Sequence, residues 1–316
     1  MGAHEVEGNS PLTALSESLA AAVERVGTAV VALDARPRVA TSGVIWRAGV
    51  VVSTHHTVRR DEEITITLHD GRSLQATLAG RDPGTDLAVL RYEGGAAGEE
   101  AVAETSDGAG LKVGHLVLAV GRAHPESGVR ASLGVVALLG GGGRTWRGGE
   151  MDRLIRPDVS IFIGFSGGAL VDTEGRVIGI NTTGFGRGAG LTIPAATVNR
   201  VVDRLLQHGR VARPYLGVSM YHRVELSEKQ REKLNLQQRL GLLVISVEAD
   251  APAERAGIQV GDILLALDGA PTVDPENVQA ILAGREVGTV VKASVLRGGE
   301  MREADITLGE RPTRRG

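Results

Sequence analysis

Cysteine is absent from this 316-residue chain. That excludes disulfides, cysteine nucleophiles and thiolate zinc sites, and it leaves the redox compartment unmarked. Aromatic residues are scarce at 3%, so the core must be filled with Val, Leu, Ile and Ala, which suits short strands joined by glycine turns. No apolar run approaches the ~18 residues of a membrane span. The formal net charge of −3 lacks the basic excess of a nucleic-acid surface. The opening residues MGAHEVEGNSPLTAL carry acids where a leader has a basic segment, and no long apolar stretch follows. They do not read as a signal peptide, so the chain as written is expected to be cytoplasmic, the alternative being a periplasmic or extracellular mature form.

Hydrophobic residues make up 42% and charged residues 23%, the balance of a packed globular protein. The length exceeds the ~250 to 300 residues at which single cores stop growing, so more than one domain is expected. Ser10 and Pro11 predict a helix start with a side-chain cap, and Leu12, Leu15, Leu19, Val23 and Val26 share one face as far as Gly27. Thereafter the period shortens to that of strands. One cluster comprises Ala29–Leu33, Val44–Trp46, Val50–Ser53, Ile64–Leu68, Leu74–Leu78 and Leu87–Tyr92. The second comprises Leu116–Val120, Val129–Leu139, Val159–Ile163, Ala169–Asp172, Val177–Asn181 and Leu191–Ile193. Two runs of six short strands with few helices predict a mainly β fold of two six-stranded antiparallel barrels. A helix over Thr197–Gln207 closes the second cluster, and Arg213-Pro214 marks a boundary. The organisation read from this is an N-terminal helical segment at 1–27, the double barrel at 28–210, a separate α+β domain at 213–310 and a tail at 311–316.

Glycine is plentiful, with 44 residues. The run Gly140–Gly143 reads as a loop and not a phosphate cradle, because no helix start or Lys-Ser/Thr pair follows it. Gly164-Phe165-Ser166-Gly167-Gly168 has more chemical content. A serine between glycines at a sharp turn exposes a hydroxyl and bare backbone N–H groups together, as a nucleophile with its oxyanion hole requires. A glycine turn without chemistry has the same spelling, so the partners decide. Of eight histidines, His55 and His56 directly follow the apolar strand Val50-Val51-Val52-Ser53-Thr54, where packing can aim a ring. Asp86 opens the apolar strand Leu87-Ala88-Val89-Leu90. The order His56, Asp86, Ser166 is that of a chymotrypsin-like triad. The nucleophile elbow of α/β-hydrolases shares the G-x-S-x-G spelling but needs an acid and then a histidine after the serine. Only His208 and His222 lie downstream, and the strand-helix alternation is missing.

With these residues in view the chain resembles the HtrA/DegP-type trypsin-like serine proteases with a C-terminal PDZ domain. VVSTHHTVRRDEEITITLHDGR, RDPGTDLAVLRY and GFSGGALVDTEGRVIGINT look like the three motifs of that family, and RPYLGV looks like the opening of its PDZ domain; the likeness runs from about Leu19 to about Leu308. The resemblance implies a chymotrypsin-like double barrel in which His56 is the general base, Asp86 orients it and Ser166 is the nucleophile. Gly164 and Ser166 N–H would then form the oxyanion hole. It implies a serine endopeptidase of protein quality control, needing no cofactor or metal and acting on unfolded or damaged polypeptide. A catalytically weak homologue acting as a PDZ-dependent binding protein or chaperone is the alternative. Relatives assemble as homotrimers, in which the first helix would help.

Three departures stand out: Phe165 replaces the usual Asn before the serine, and Ile163 and Ala169 replace prolines. Phe165 cannot make an amide's hydrogen bonds, so its turn is expected to be held by apolar packing. Thr183 to Leu191 is expected to frame the pocket beside the cleaved bond. In the C-terminal domain, Tyr215, Leu216, Gly217 and Val218 resemble a carboxylate-binding loop, and Val278, Ile281 and Leu282 would line the apolar pocket for C-terminal or extended peptides. Glu248, Asp250 and Asp262 read as solvated turn acids and not metal ligands.

Overall fold

A computed structural model of the chain describes residues 10–36, 40–93, 101–124, 126, 128–145, 148–185, 190–209, 214–234, 236–283 and 285–310. It divides into two compact units, Met1–Val211 and Ala212–Gly316. In the first unit, β1 (Val30–Asp34), β2 (Thr41–Arg47), β3 (Val50–Thr54), β4 (Ile64–Thr67), β5 (Ser73–Asp82) and β6 (Leu87–Tyr92) close into an antiparallel barrel ordered β1-β2-β3-β6-β5-β4. The alternation of side chains along each strand explains why these sequences read as nearly unbroken apolar runs. Val31, Leu33, Ile45, Val51, Ile64, Ile66 and Leu90 belong to the barrel's own core. Their neighbours Val30, Val44, Val52, Leu87 and Val89 belong to a cluster shared with the second barrel. Both faces are buried in β1, β2, β3 and β6, whereas β5 is exposed along part of its length. Each fully buried side chain of this size contributes roughly 1.5 to 3 kcal/mol, so the shared cluster locks the barrels together.

The second barrel contains β7 (Leu116–Gly121), β8 (Arg130–Gly140) and the strands Leu154–Asp158, Ala169–Val171, Val177–Thr182 and Leu191–Pro194. Five of its six strands lie where the sequence predicts them. The sixth is Leu154–Asp158, whereas the expected Val159–Ile163 is loop. Leu154–Asp158 alternates exposed and buried residues, but Pro157 obscures that pattern, because proline is rare inside sheets except at irregularities. Here the pairing with β8 shifts register between Arg156 and Pro157.

The helix α1 (Pro11–Gly27) starts as expected, but Ser10 makes no side-chain cap bond; its carbonyl accepts from Ala14 N–H. Only the last turns of its apolar face are covered. Ala22 and Val26 are buried, while Leu12 is 77% exposed. The helix α2 (Ala195–His208) buries Val198, Val201, Val202 and Leu205 in the shared cluster and stops at Gly209 in the left-handed conformation.

The second unit is built on an antiparallel sheet ordered Val218–Glu225, Leu240–Val247, Ile263–Leu267, Val290–Arg297 and Glu300–Thr307. It has its own core, in which Leu242, Val244, Leu264, Val291 and Ile306 meet Val278 and Leu282 of the helix Pro275–Ala283.

Candidate active site

Two strand ends of the first barrel bring His56 and Asp86 together. β3 and β6 pair in register up to Thr54 and Leu87, so the residues just beyond each strand emerge side by side. His56 Nδ1 lies 2.7 Å from Asp86 Oδ2, and His56 N–H donates to Asp86 Oδ1 at 3.0 Å. Asp86 also accepts at its backbone carbonyl from His55 N–H at 2.9 Å. The carboxylate is fully buried, whereas the imidazole keeps 26% of its side-chain surface. Asp86 has φ +58°, a left-handed conformation that aspartate tolerates better than most residues. The ring of His56 meets the acid's side chain, while His55 binds its backbone carbonyl.

Ser166 comes from a loop of the second barrel. Phe165 N–H donates to Phe162 O at 3.0 Å, closing a four-residue turn whose third residue, Gly164, has φ +90°. A type II turn demands glycine there, and a side chain at this position would meet Ala123 Cβ at 2.4 Å. Phe165 is completely buried with Val117, Ala119, Val136, Ile155, Leu170 and Ile178, and its ring meets that of Phe162 edge-on at 5.3 Å. Apolar packing thus anchors the turn where the family pattern has an amide. Among the described residues, neither Gly164 N–H nor Ser166 N–H donates a hydrogen bond.

Two neighbouring threonines tie these parts together. Thr182 donates from Oγ1 to Asp86 Oδ2 at 2.5 Å, and Thr183 Oγ1 lies 3.2 Å from Ser166 Oγ. No hydrogen bond joins Ser166 to His56 among the described residues, in keeping with catalytic contacts that tighten only when substrate is bound. Sequence reasoning missed Thr182 and, although it placed Thr183 in the loop framing the pocket, missed its contact with Ser166. The available signal was a fully buried strand, Val177–Thr182, ending in a pair of hydroxyls. Thr183 and Gly190 line a cavity of about 750 Å³ with Leu138, Val159 and Ile161. Residues 186–189 of the loop expected to frame it lie outside the described residues. The constellation holds a hydroxyl, an imidazole, a buried carboxylate and two unspent amides, the groups that acyl transfer uses.

In the C-terminal unit Gly217 has φ +81°, and a side chain there would meet Ala251 Cβ at 2.2 Å. Leu216 and Gly217 N–H donate no hydrogen bond among the described residues, while the two carbonyls accept from Ala253 and Glu248 N–H at 2.8 Å. Tyr215 pairs with Gly309, and Val218 opens the first sheet strand. Val278 and Leu282 are core residues, 1% and 4% exposed, while Ile281 is only partly buried. Asp262 is likewise buried and pairs with Arg297 at 2.6 Å. It is therefore not the solvated acid that its turn sequence suggests.

Residues 41–180 match the trypsin-like peptidase domain family, and residues 214–308 match the PDZ domain family. The serine endoprotease from Yersinia pestis, a solved structure, is 31% identical, with a TM-score of 0.72 over 92% of this chain and 97% of that one. The HtrA-type protease AlgW with tripeptide is 31% identical, with a TM-score of 0.70 over 94% of this chain and 99% of that one. The chain belongs to the HtrA-type serine proteases. The HtrA-type protease AlgW with decapeptide is similar at 29% identity and a TM-score of 0.71, covering 93% of this chain and 99% of that one. Among curated proteins, a probable periplasmic serine endoprotease, DegP-like, from Rhizobium meliloti is 31% identical over 88% of this chain. Its counterpart from Brucella suis biovar 1 is 34% identical over 89%. This HtrA-type chain spans 55% and 54% of those relatives' lengths.

The expectation of a cytoplasmic protein is corrected by these relatives, which are named periplasmic. It rested on the composition of the first fifteen residues. A folded domain meets the same demands of solubility and packing on either side of a membrane, so that composition carries little information about compartment. No described helix is long and apolar enough to cross a membrane.

Proposed function

We propose that this chain is a serine endopeptidase of protein quality control that cleaves unfolded or damaged polypeptide, while its PDZ domain binds C-terminal or extended peptide segments. The observation that carries the reading is the 2.7 Å contact of His56 Nδ1 with a fully buried Asp86, with Ser166 on the adjoining turn. Ser166 Oγ attacks the scissile carbonyl as His56 Nε2 takes its proton. Gly164 and Ser166 N–H receive the charge that develops on the carbonyl oxygen. The imidazolium, held and stabilised by Asp86, then protonates the leaving amine. Water enters, is deprotonated by the same ring, and releases the acid from Ser166.

Peptide capture rests on the Leu216 and Gly217 amides and on the sheet edge beside Val218. The AlgW relative carries a decapeptide, which supports this part of the reading. Homotrimeric assembly is carried over from the resemblance. The exposed Leu12 and Leu15 of α1 offer it a surface. The test is casein cleavage by wild type beside Ser166→Ala, with a fluorophosphonate probe to label the serine. Loss of cleavage in the variant and modification of Ser166 in wild type are expected; equal cleavage by both proteins would overturn the assignment.

A further inference from the structure

The nucleophile turn is held from outside its own barrel. Thr41 and Ser42, consecutive residues at the start of β2, are fully buried. Thr41 Oγ1 donates to Ser166 O at 2.7 Å, and Ser42 N–H approaches the same carbonyl at 3.3 Å. Ser42 Oγ donates to Gly164 O at 2.6 Å while accepting from Arg122 N–H at 2.9 Å. Ser53 Oγ buttresses the pair by donating to Ser42 O at 2.7 Å. The approach is so close that a side chain on Gly167 would lie 2.1 Å from Ser42 O.

The pattern of spent and unspent groups is informative. Gly164 and Ser166, whose N–H groups are available, have their carbonyls tied by adjacent hydroxyls of the other barrel. A carbonyl fixed on one side of a residue limits rotation of that residue, and hence the direction of its N–H. Phe165 between them contributes packing without a polar side-chain group. We infer that Thr41 and Ser42 are positioning residues of the oxyanion hole, setting its two donors from the first barrel in place of an amide at position 165. This rests on the endopeptidase reading. Their effect passes through Gly164 and Ser166, and neither hydroxyl touches substrate.

The experiment compares Thr41→Val, Thr41→Ser and Ser42→Ala with wild type in the full chain. Rates are expressed per serine titrated by fluorophosphonate. A lost oxyanion donor lowers kcat by about 10² to 10³, and a donor left in place but misaimed is expected to lower it by about ten- to a hundredfold. KM and the pH midpoint of kcat/KM should stay at wild-type values, because substrate contacts and the His56–Asp86 pair are untouched. Affinity for a peptide boronate, which mimics the tetrahedral state, should fall in proportion to kcat. Thr41→Ser keeps the hydroxyl and should recover what Thr41→Val loses. Amide hydrogen exchange over 162–168 should rise in Thr41→Val and Ser42→Ala. Unchanged kcat per titrated site would overturn the inference whatever happens to Tm. Should wild type prove unreactive at Ser166, the endopeptidase reading falls by itself. The clamp is then decided by exchange alone, and an unchanged profile in both variants rejects it.

Discussion

The two barrels share an architecture but differ in how they hold their chemistry. In the first, His56 and Asp86 emerge from paired strands buried on both faces, and backbone N–H groups bind the acid's side chain and carbonyl directly. In the second, β8 is mostly exposed or half-buried, with Val136 alone fully buried in it, and the turn before Ser166 carries Phe162 and Ile163 at 53% and 80% exposure. Its order comes from Phe165 below and from first-barrel hydroxyls at the side. The base and acid meet through paired strands of one barrel, to which the second barrel adds a bond from Thr182 Oγ1 to Asp86 Oδ2. The nucleophile turn takes both of its carbonyl-binding hydroxyls, Thr41 and Ser42, from the other barrel. A turn on a less protected barrel needs a neighbour.

The largest break in this comparison is Ser166→Ala, expected to lower kcat by roughly 10⁶ while leaving Tm near wild type; a peptide hydrolysis assay reads it. Asp86→Asn attacks the strand-end half and should lower kcat by about 10⁴, because the imidazole loses the partner that fixes its tautomer. Phe165→Ala removes the packing under the dependent half. It should destabilise the first unit by about 3 to 5 kcal/mol through the cavity left behind, measured by denaturant unfolding, and should depress activity more than Tm alone explains.

Thr182→Val sharpens the comparison further. It leaves His56 on Asp86 but removes one charge-assisted bond worth about 1.5 to 3 kcal/mol. A drop of roughly tenfold in kcat/KM is expected in a peptide hydrolysis assay.

The smallest effect tests whether the C-terminal unit stands by itself. Burial works against ionisation of Asp262, but the Arg297 side chain and Gln259 N–H outweigh it, so the pKa lies below the ordinary carboxylate value. A depressed folded pKa means stability that is present above the unfolded value of about 3.9 and lost as pH falls through the folded one. Asp262→Asn should destabilise this unit by about 2 kcal/mol near neutrality. The gap should close in acid, read by hydrogen exchange over 240–267 with protease activity unchanged.

Much of this was legible beforehand. The double barrel followed from short runs rich in Val, Ile, Thr and Leu set between turns, because residue type and run length are local properties written into consecutive residues. His56 and Asp86 were legible for the same reason, since each directly follows or opens such a run. The strand Leu154–Asp158 escaped because Pro157 breaks the pattern that a bulge accommodates in three dimensions. Asp262 escaped differently. Its turn sequence is that of an exposed acid, and only the fold brings Arg297 across to bury it.

The sequence by itself determined which residues are apolar at which spacing, and so the barrels, and it placed a histidine, an aspartate and a serine at strand ends and a glycine turn. Only the tertiary structure decided how the turn at Ser166 is held. Thr41, Ser42, Thr182 and Thr183 look like any other hydroxyl residues along the chain. They reach Gly164, Ser166 and Asp86 across 96 to 125 residues of sequence, or 17 for Thr183. Hydrogen bonds between such distant residues form only when the apolar faces of two barrels have excluded water, and no local pattern records where those faces will meet.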